Sequence, residues 1–128
     1  MHLLLDTHVL LWAAGVPERL SSEATALIQD PGNRLLFSAA SLWEITIKNN
    51  LGRPDFRVDG AVLRRGLLEN GYDELSIAGT HALAVRQLPD IHRDPFDRIL
   101  AAQAAHEGLL LLTADETLAR YPCPIRLI

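Results

Sequence analysis

Apolar positions recur along this chain in two rhythms. Runs at residues 3–5, 34–37, 74–77, 109–112 and 125–128 are short and largely continuous, the pattern of a strand buried on both faces. Leucine is a modest strand former, so the shortness of the runs and their flanking turn residues carry this reading. Between them lie longer stretches with apolar residues at three- and four-residue spacing. Residues 9–14, 22–29, 39–50, 60–69, 79–87 and 95–106 are predicted helices, and 117–120 a single helical turn. Ala24, Leu27 and Ile28 share one face of the second helix. Punctuation separates the elements: Asp30-Pro31-Gly32-Asn33, Gly52-Arg53-Pro54, Asn70-Gly71 and Gly108. Strand followed by helix, repeated, predicts an α/β fold with a mainly parallel central sheet.

At 128 residues, 1–128 is read as a single domain, long enough to bury a core. Hydrophobic residues at 48% and charged residues at 22% exclude a disordered chain. The net charge of −4 argues against a module that holds nucleic acid by bulk positive charge. It leaves open an enzyme that reaches a phosphodiester through a cation. Cys123 is the only cysteine, which excludes an internal disulfide and a cysteine zinc cluster. No apolar run approaches the roughly 20 residues that span a bilayer. The opening Met1-His2-Leu3-Leu4-Leu5-Asp6 lacks the basic start of a secretory leader. The expectation is a cytoplasmic protein with no membrane partner.

In open α/β sheets, chemistry collects at the carboxyl ends of the strands. Asp6 directly follows the first leucine run, and Asp115 follows the fourth by three residues. Asp97 stands in the first turn of the alanine-rich helix leading into that fourth run. Glu44 lies within the helix after the second run. Four acids from four segments therefore point to one edge of the sheet. Two carboxylates about 4 Å apart repel by roughly 4 kcal/mol at an effective dielectric near 20. Such a cluster calls for protons or cations, and all-oxygen donors suit Mg²⁺ or Mn²⁺. Phosphodiester hydrolysis is the chemistry such an ion serves.

Each acid also has a structural reading. Asp6 can cap the helix that follows it. Glu44, between Trp43 and Ile45, can pair with Lys48 one turn on, although its large apolar neighbours favour burial and function. Asp94-Pro95 has the form of a helix start, with acid at the cap and proline at the first position. Asp94 is thus read as a cap with a supporting role, and Asp97 as the chemical residue. Thr113-Ala114-Asp115-Glu116 has the form of a capping box, which accounts for Thr113 and Glu116 and leaves Asp115 free. No zinc spacing involves the histidines, so His8 and His92 are not assigned as ligands. Trp12 and Trp43 are read as core or interface, and Arg98 and Lys48 mainly as solvated charges.

Taken together, Leu3-Leu4-Leu5-Asp6-Thr7-His8, Ser38-Ala39-Ala40-Ser41-Leu42-Trp43-Glu44-Ile45, the stretch from Asp94-Pro95-Phe96-Asp97-Arg98 to Ala104, and Leu111-Leu112-Thr113-Ala114-Asp115 resemble the PIN domain. Within it they are most similar to the VapC-like toxin nucleases of toxin–antitoxin pairs. Four motifs in order and at fitting spacing, across residues 3–128, make the resemblance specific. It implies a three-layer α/β/α sandwich around a five-stranded sheet of order 3-2-1-4-5. It implies an Mg²⁺-dependent endoribonuclease, with Mn²⁺ as an alternative ion. Matched by motif, Asp6, Glu44, Asp97 and Asp115 would be the catalytic acids. Asp6 and Asp97 would bind the ion directly, with Glu44 and Asp115 acting through water or a second ion. Thr7 and Thr113 match supporting hydroxyls. The resemblance also implies an RNA substrate, a small antitoxin protein and a homodimer. The surface around residues 51–59 is expected to shape the choice of RNA.

Two other enzyme classes fail on single residues. A haloacid-dehalogenase-type phosphatase needs an acid two residues after the first, where His8 stands. A receiver domain needs a late lysine, and the only lysine is Lys48. An RNA-processing nuclease outside toxin systems and an inactive interaction module with this fold are the remaining alternatives.

Overall fold

The computed structural model describes residues 1–54 and 56–128; Asp55, within the loop expected to shape RNA choice, lies outside them. Strands β1 (His2–Leu5), β2 (Arg34–Ser38), β3 (Asp73–Leu75), β4 (Leu110–Thr113) and β5 (Ile125–Leu127) form one sheet in the order β3-β2-β1-β4-β5. All neighbouring pairs are parallel. The central strand β1 sets Leu3 and Leu4 opposite Leu35 and Leu36 on one side, and opposite Leu110 and Leu111 on the other.

The unbroken leucine runs follow from burial on both faces of the sheet. Leu4, Leu36 and Leu111 pack with Leu100, Ala101 and Ala104. Leu3, Leu5, Phe37 and Leu112 pack on the opposite face with Val9, Leu10 and Leu67. Alternate residues of one strand thus serve two cores, so the leucine runs of β1 and β4 are apolar on both faces. Each leucine so buried contributes about 1.5–3 kcal/mol relative to exposure.

Helices α1 (Thr7–Gly15), α2 (Ser22–Gln29), α3 (Ala39–Asn50), α4 (Gly60–Glu69), α5 (Gly79–Ala84) and α6 (Pro95–Glu107) connect the strands. Their starts are chemically marked. Asp6, Ser21, Ser38, Asp59 and Asp94 each accept a backbone N–H of the helix they precede. Pro95 fills the first position of α6, and Gly108 ends it with φ of 68°, a left-handed conformation natural to glycine. No helix of the described residues is long and apolar enough to cross a membrane.

Several boundaries differ from expectation. Helix α1 starts at Thr7 rather than residue 9, because Asp6 caps it directly after the strand. The stretch 79–87 stops being α-helical at Ala84 and tightens into a 3-10 turn, Val85–Gln87, before the extended Leu88. Strand β3 lies at Asp73–Leu75, one residue ahead of the expected start and two short of the expected end. The capping box predicted for Thr113 and Glu116 does not form. Thr113 is the last residue of β4, and Asp115 takes over the cap, accepting the N–H groups of Thr117 at 2.8 Å and Leu118 at 3.2 Å.

Candidate active site

The edge at the carboxyl ends of β1, β2 and β4 carries the acids. Asp6 follows β1 and is buried, with one oxygen spent on the cap of α1: Oδ1 accepts from Val9 N–H at 2.8 Å. Its Oδ2 accepts from the hydroxyl of Thr113, at the end of the neighbouring strand. That same hydroxyl accepts the N–H of Asp115 at 3.0 Å. Thr113 therefore ties the acid after β1 to the acid after β4.

Glu44 comes from the first half of α3, the helix that Ser38 caps at the end of β2. It is buried despite its charge. Thr7 donates its hydroxyl proton to Glu44 Oε1 at 2.7 Å, and its oxygen lies 2.9 Å from Ser41 Oγ. Lys48, one turn further along α3, holds Glu44 Oε2 at 2.7 Å. This is the ion pair the i, i+4 spacing allowed, and it accounts for the cation half of a buried charge pair.

Asp94 and Asp97 stand at the start of α6. Asp94 Oδ1 accepts from Phe96 N–H at 2.8 Å and acts as the cap. Asp97 lies three residues after Asp94 and eighteen before Asp115, yet its carboxyl meets that of Asp115 through a histidine. Nε2 of His92 lies 3.0 Å from Asp97 Oδ2 and 3.2 Å from Asp115 Oδ2. His92, Asp97 and Asp115 bring one donor atom each within 4.8 Å of one another. Asp6 and Glu44 belong to no such tight trio among the described residues. Asp6 reaches the group through Thr113, and both Asp6 and Glu44 act on Asp97 through their charge.

The electrostatics follow the packing. Burial raises the Asp6 carboxyl, and the nearby charge of Glu44 raises it further, against the hydrogen bonds from Thr113 and Val9. Burial likewise pushes Asp97 up to about 7. The charges of Asp94, Asp6 and Glu44 push the same way, and only the proximity of His92 opposes them. Asp115 behaves differently. Burial raises it, but the hydrogen bonds from His92, Leu118 and Thr117 outweigh that and hold it below the ordinary carboxylate range. Asp6 and Asp97 therefore resist carrying full negative charge unaided, while Asp115 does not. Oxygen donors under such repulsion suit a hard divalent cation.

Three residues of this region were not assigned by sequence reasoning. His92 was set aside as a ligand candidate, and it sits between two of the acids. Tyr121 holds the backbone of His92 in both directions: its hydroxyl accepts from His92 N–H at 2.9 Å and donates to His92 C=O at 3.2 Å. Arg98, read as a solvated charge, is committed inside the chain. It donates to Pro89 C=O and Tyr121 OH, both at 3.1 Å, and to Val85 C=O at 3.2 Å. Trp43 is not core: it is 59% exposed and stands edge-on to Phe96 with ring centroids 5.2 Å apart.

A second histidine and acid cluster, His81, His106 and Glu107, lies away from this edge. Nδ1 of buried His81 accepts Ala78 N–H at 2.9 Å, so the ring proton sits on Nε2 and is directed at Glu107 Oε1, 2.7 Å away. A ring nitrogen that carries a proton offers no lone pair to a metal. The cluster fastens α5 to the end of α6.

The sheet order, the helix caps and this acidic edge define an α/β domain with an acidic rim at the carboxyl ends of its strands, and the chain belongs to the PIN domain family, which it matches over residues 3–122. Ribonuclease VapC22 of Mycobacterium tuberculosis is 29% identical over 124 residues, covering 95% of each chain. Among solved structures, VapBC2 from Rickettsia felis, bound to a DNA fragment from their promoter, superposes with a TM-score of 0.72 at 13% identity, covering 99% of this chain and 98% of that one. A toxin–antitoxin complex from Klebsiella pneumoniae gives 0.62 at 17% identity, covering 96% and 94%. At those identities the two structures speak to the fold.

Proposed function

We propose that the chain is a divalent-metal-dependent endoribonuclease and the toxin half of a toxin–antitoxin pair. The observation that carries the reading is the convergence of Asp6, Asp97 and Asp115 on one edge, with buried Glu44 beside them. A relative that is a ribonuclease, similar along nearly the whole chain, supports the activity. Similarity of fold to toxin–antitoxin complexes supports a small protein antitoxin as partner. A homodimer in the cytoplasm is part of the same reading.

Asp6 and Asp97 would hold Mg²⁺, or Mn²⁺, with Glu44 and Asp115 completing the acidic shell. The ion, when bound, supplies Lewis-acid stabilisation of charge on the phosphodiester and its leaving oxygen. The chain supplies geometry. Thr113 aims Asp6 Oδ2 and fixes the backbone of Asp115. Thr7 aims Glu44 Oε1, and Lys48 pairs with Oε2. Asp94 starts α6 so that Asp97 falls at its third position.

The test is cleavage of a mixed RNA pool by the purified chain. The expected result is Mg²⁺-dependent cutting that EDTA stops and that Asp6→Asn and Asp97→Asn each lower by at least a hundredfold. Full cleavage by either variant, or in EDTA, would overturn the reading.

A further inference from the structure

With a net charge of −4 and a carboxyl cluster at its edge, the chain needs cations outside that cluster to hold a polyanion. The loop after α3 supplies them beside it. Asn49, Arg53, Phe56, Arg57 and Val58 line an open cavity of about 540 Å³, within the roughly 300–1,000 Å³ typical of small-molecule sites. The loop is pinned to the helix where it returns. Asn49 Oδ1 accepts Val58 N–H at 3.1 Å, and Asn49 Nδ2 donates to Val58 C=O. Phe56 N–H donates to Arg53 C=O at 3.2 Å. Asp59, also at the cavity, is occupied in capping α4 through Ala61 and Val62 N–H. Arg53 and Arg57 are exposed, and among the described residues no acid pairs with either. Lys48 joins the cavity to the acids: its Nζ lies 2.7 Å from Glu44 Oε2 and 5.9 Å from the centroid of the Phe56 ring. About 7.5 Å of helix rise separates Glu44 from Asn49, a span that a few nucleotides cover.

We propose that this cavity is a subsite for one unpaired RNA strand, with Arg53 and Arg57 on its phosphates and Phe56 stacked on a base. It deepens the ribonuclease reading and rests on it for the kind of strand bound. Guanidinium forks match phosphate oxygens. An aromatic face among cations suits single strands, because every base has a π-face to offer. In a duplex the bases stack on one another, so Phe56 has no base to take up. An acidic protein segment would also satisfy the arginines, but it would use Phe56 only as apolar surface, a role leucine fills. Phosphate and stacking contacts of this kind place the strand without reading its sequence.

Fluorescence anisotropy of the full chain with a labelled oligoadenylate about ten nucleotides long, in EDTA to prevent cutting, measures the subsite. Phe56→Leu should weaken binding about fivefold or more, and Phe56→Tyr should bind as the parent does. Arg53→Gln and Arg57→Gln should each weaken binding and lower the slope of log affinity against log salt by about 0.7, a slope that Phe56→Leu leaves unchanged. An RNA duplex should bind more weakly than the single strand and be indifferent to Phe56→Leu. Circular dichroism checks that each variant keeps the fold. With Mg²⁺, the same variants should raise KM for RNA cleavage and leave kcat near the parent value. No binding by the parent, or parent-like affinity in both arginine variants, would overturn the proposal. So would loss in the arginine variants with none in Phe56→Leu, the result expected of an acidic protein segment. If the binding pattern holds but the parent cuts no RNA with Mg²⁺, the ribonuclease reading falls and the subsite stands. If the parent cuts RNA and all the variants bind as it does, the subsite alone falls.

Discussion

Thr113 donates its hydroxyl proton to Asp6 across 107 residues of sequence. The bond is local in space because β1 and β4 are parallel neighbours, and the residues that follow them emerge at the same edge. The hydroxyl also accepts the N–H of Asp115, so one side chain with no charge sets the relation between two carboxylates.

Replacing Thr113 by Val keeps the shape of the side chain and removes both bonds. Thr113 is fully buried, so the Asp6 oxygen and the Asp115 N–H would lose a partner that water cannot easily replace. The expected destabilisation is about 1–3 kcal/mol, seen as a lower urea midpoint. The bond lowers the Asp6 pKa, so its loss should raise that carboxyl further and weaken divalent-cation binding. Thr113→Ser, which keeps the hydroxyl, should lie close to the parent. A Val variant as stable as the parent would show that this bond contributes nothing.

Metal-free stability should fall as pH rises through the acid range. Asp97 sits at about 7 in the folded chain against an ordinary value of 3.8, chiefly through burial and then through the charge of Asp94. Between those two values the folded state retains a proton the unfolded chain has lost. Its contribution to stability is therefore present at low pH and is lost as pH climbs towards 7. Asp6, also raised, acts in the same sense. At about 1.4 kcal/mol per unit, the Asp97 share is on the order of 2–4 kcal/mol. Urea midpoints in EDTA at pH 5 and pH 8 measure it. Asp97→Asn should flatten this dependence and leave the chain more stable than the parent at pH 8. An unchanged slope in that variant would assign the pH dependence elsewhere.

Divalent cations should reverse that loss. An ion bound only by the folded chain, at a hundred times its dissociation constant, adds about 2.7 kcal/mol. Protons compete for the same oxygens, so Mn²⁺ should raise the melting temperature more at pH 8 than at pH 5. Asp6→Asn should abolish most of the rise. A melting temperature indifferent to Mn²⁺ and Mg²⁺ at pH 8 would argue that the edge binds neither.

Much of the architecture could be read from the chain because its signals are local. The leucine runs mark strands buried on both faces, and Asp94-Pro95 and Gly108 bracket α6 at residues that the structure also uses. That Asp6 directly follows a strand, and that Asp97 falls at the third position of a helix, follow from the same marks. What escaped was assembled across loops. His92 precedes a helix cap by two residues and has no metal-ligand spacing, so nothing nearby in sequence sets it apart. Its partners, Asp115 and Tyr121, lie 23 and 29 residues away. The false capping box at Thr113 had a similar origin. The local pattern was adequate, but the sheet needed that hydroxyl for Asp6, and Asp115 capped the turn instead.

The toxin reading predicts a cost to the host and a specific remedy. The edge is a cluster of carboxyls, so an inhibitor needs to cover it and offer a cation. Arginine suits that role, because its guanidinium stays charged and can pair with carboxylate oxygens two at a time. Such a contact would relieve the repulsion that adds to burial in raising Asp97, and the complex should melt above the free chain. Expression of the chain alone should arrest growth of a bacterial host. Co-expression of a small protein encoded beside it should restore growth, and Asp6→Asn should be harmless without that protein. An arginine of the small protein that enters the edge, changed to alanine, should weaken inhibition. Arrest that persists undiminished with Asp6→Asn would separate toxicity from the acidic edge and overturn this account of both activity and inhibition.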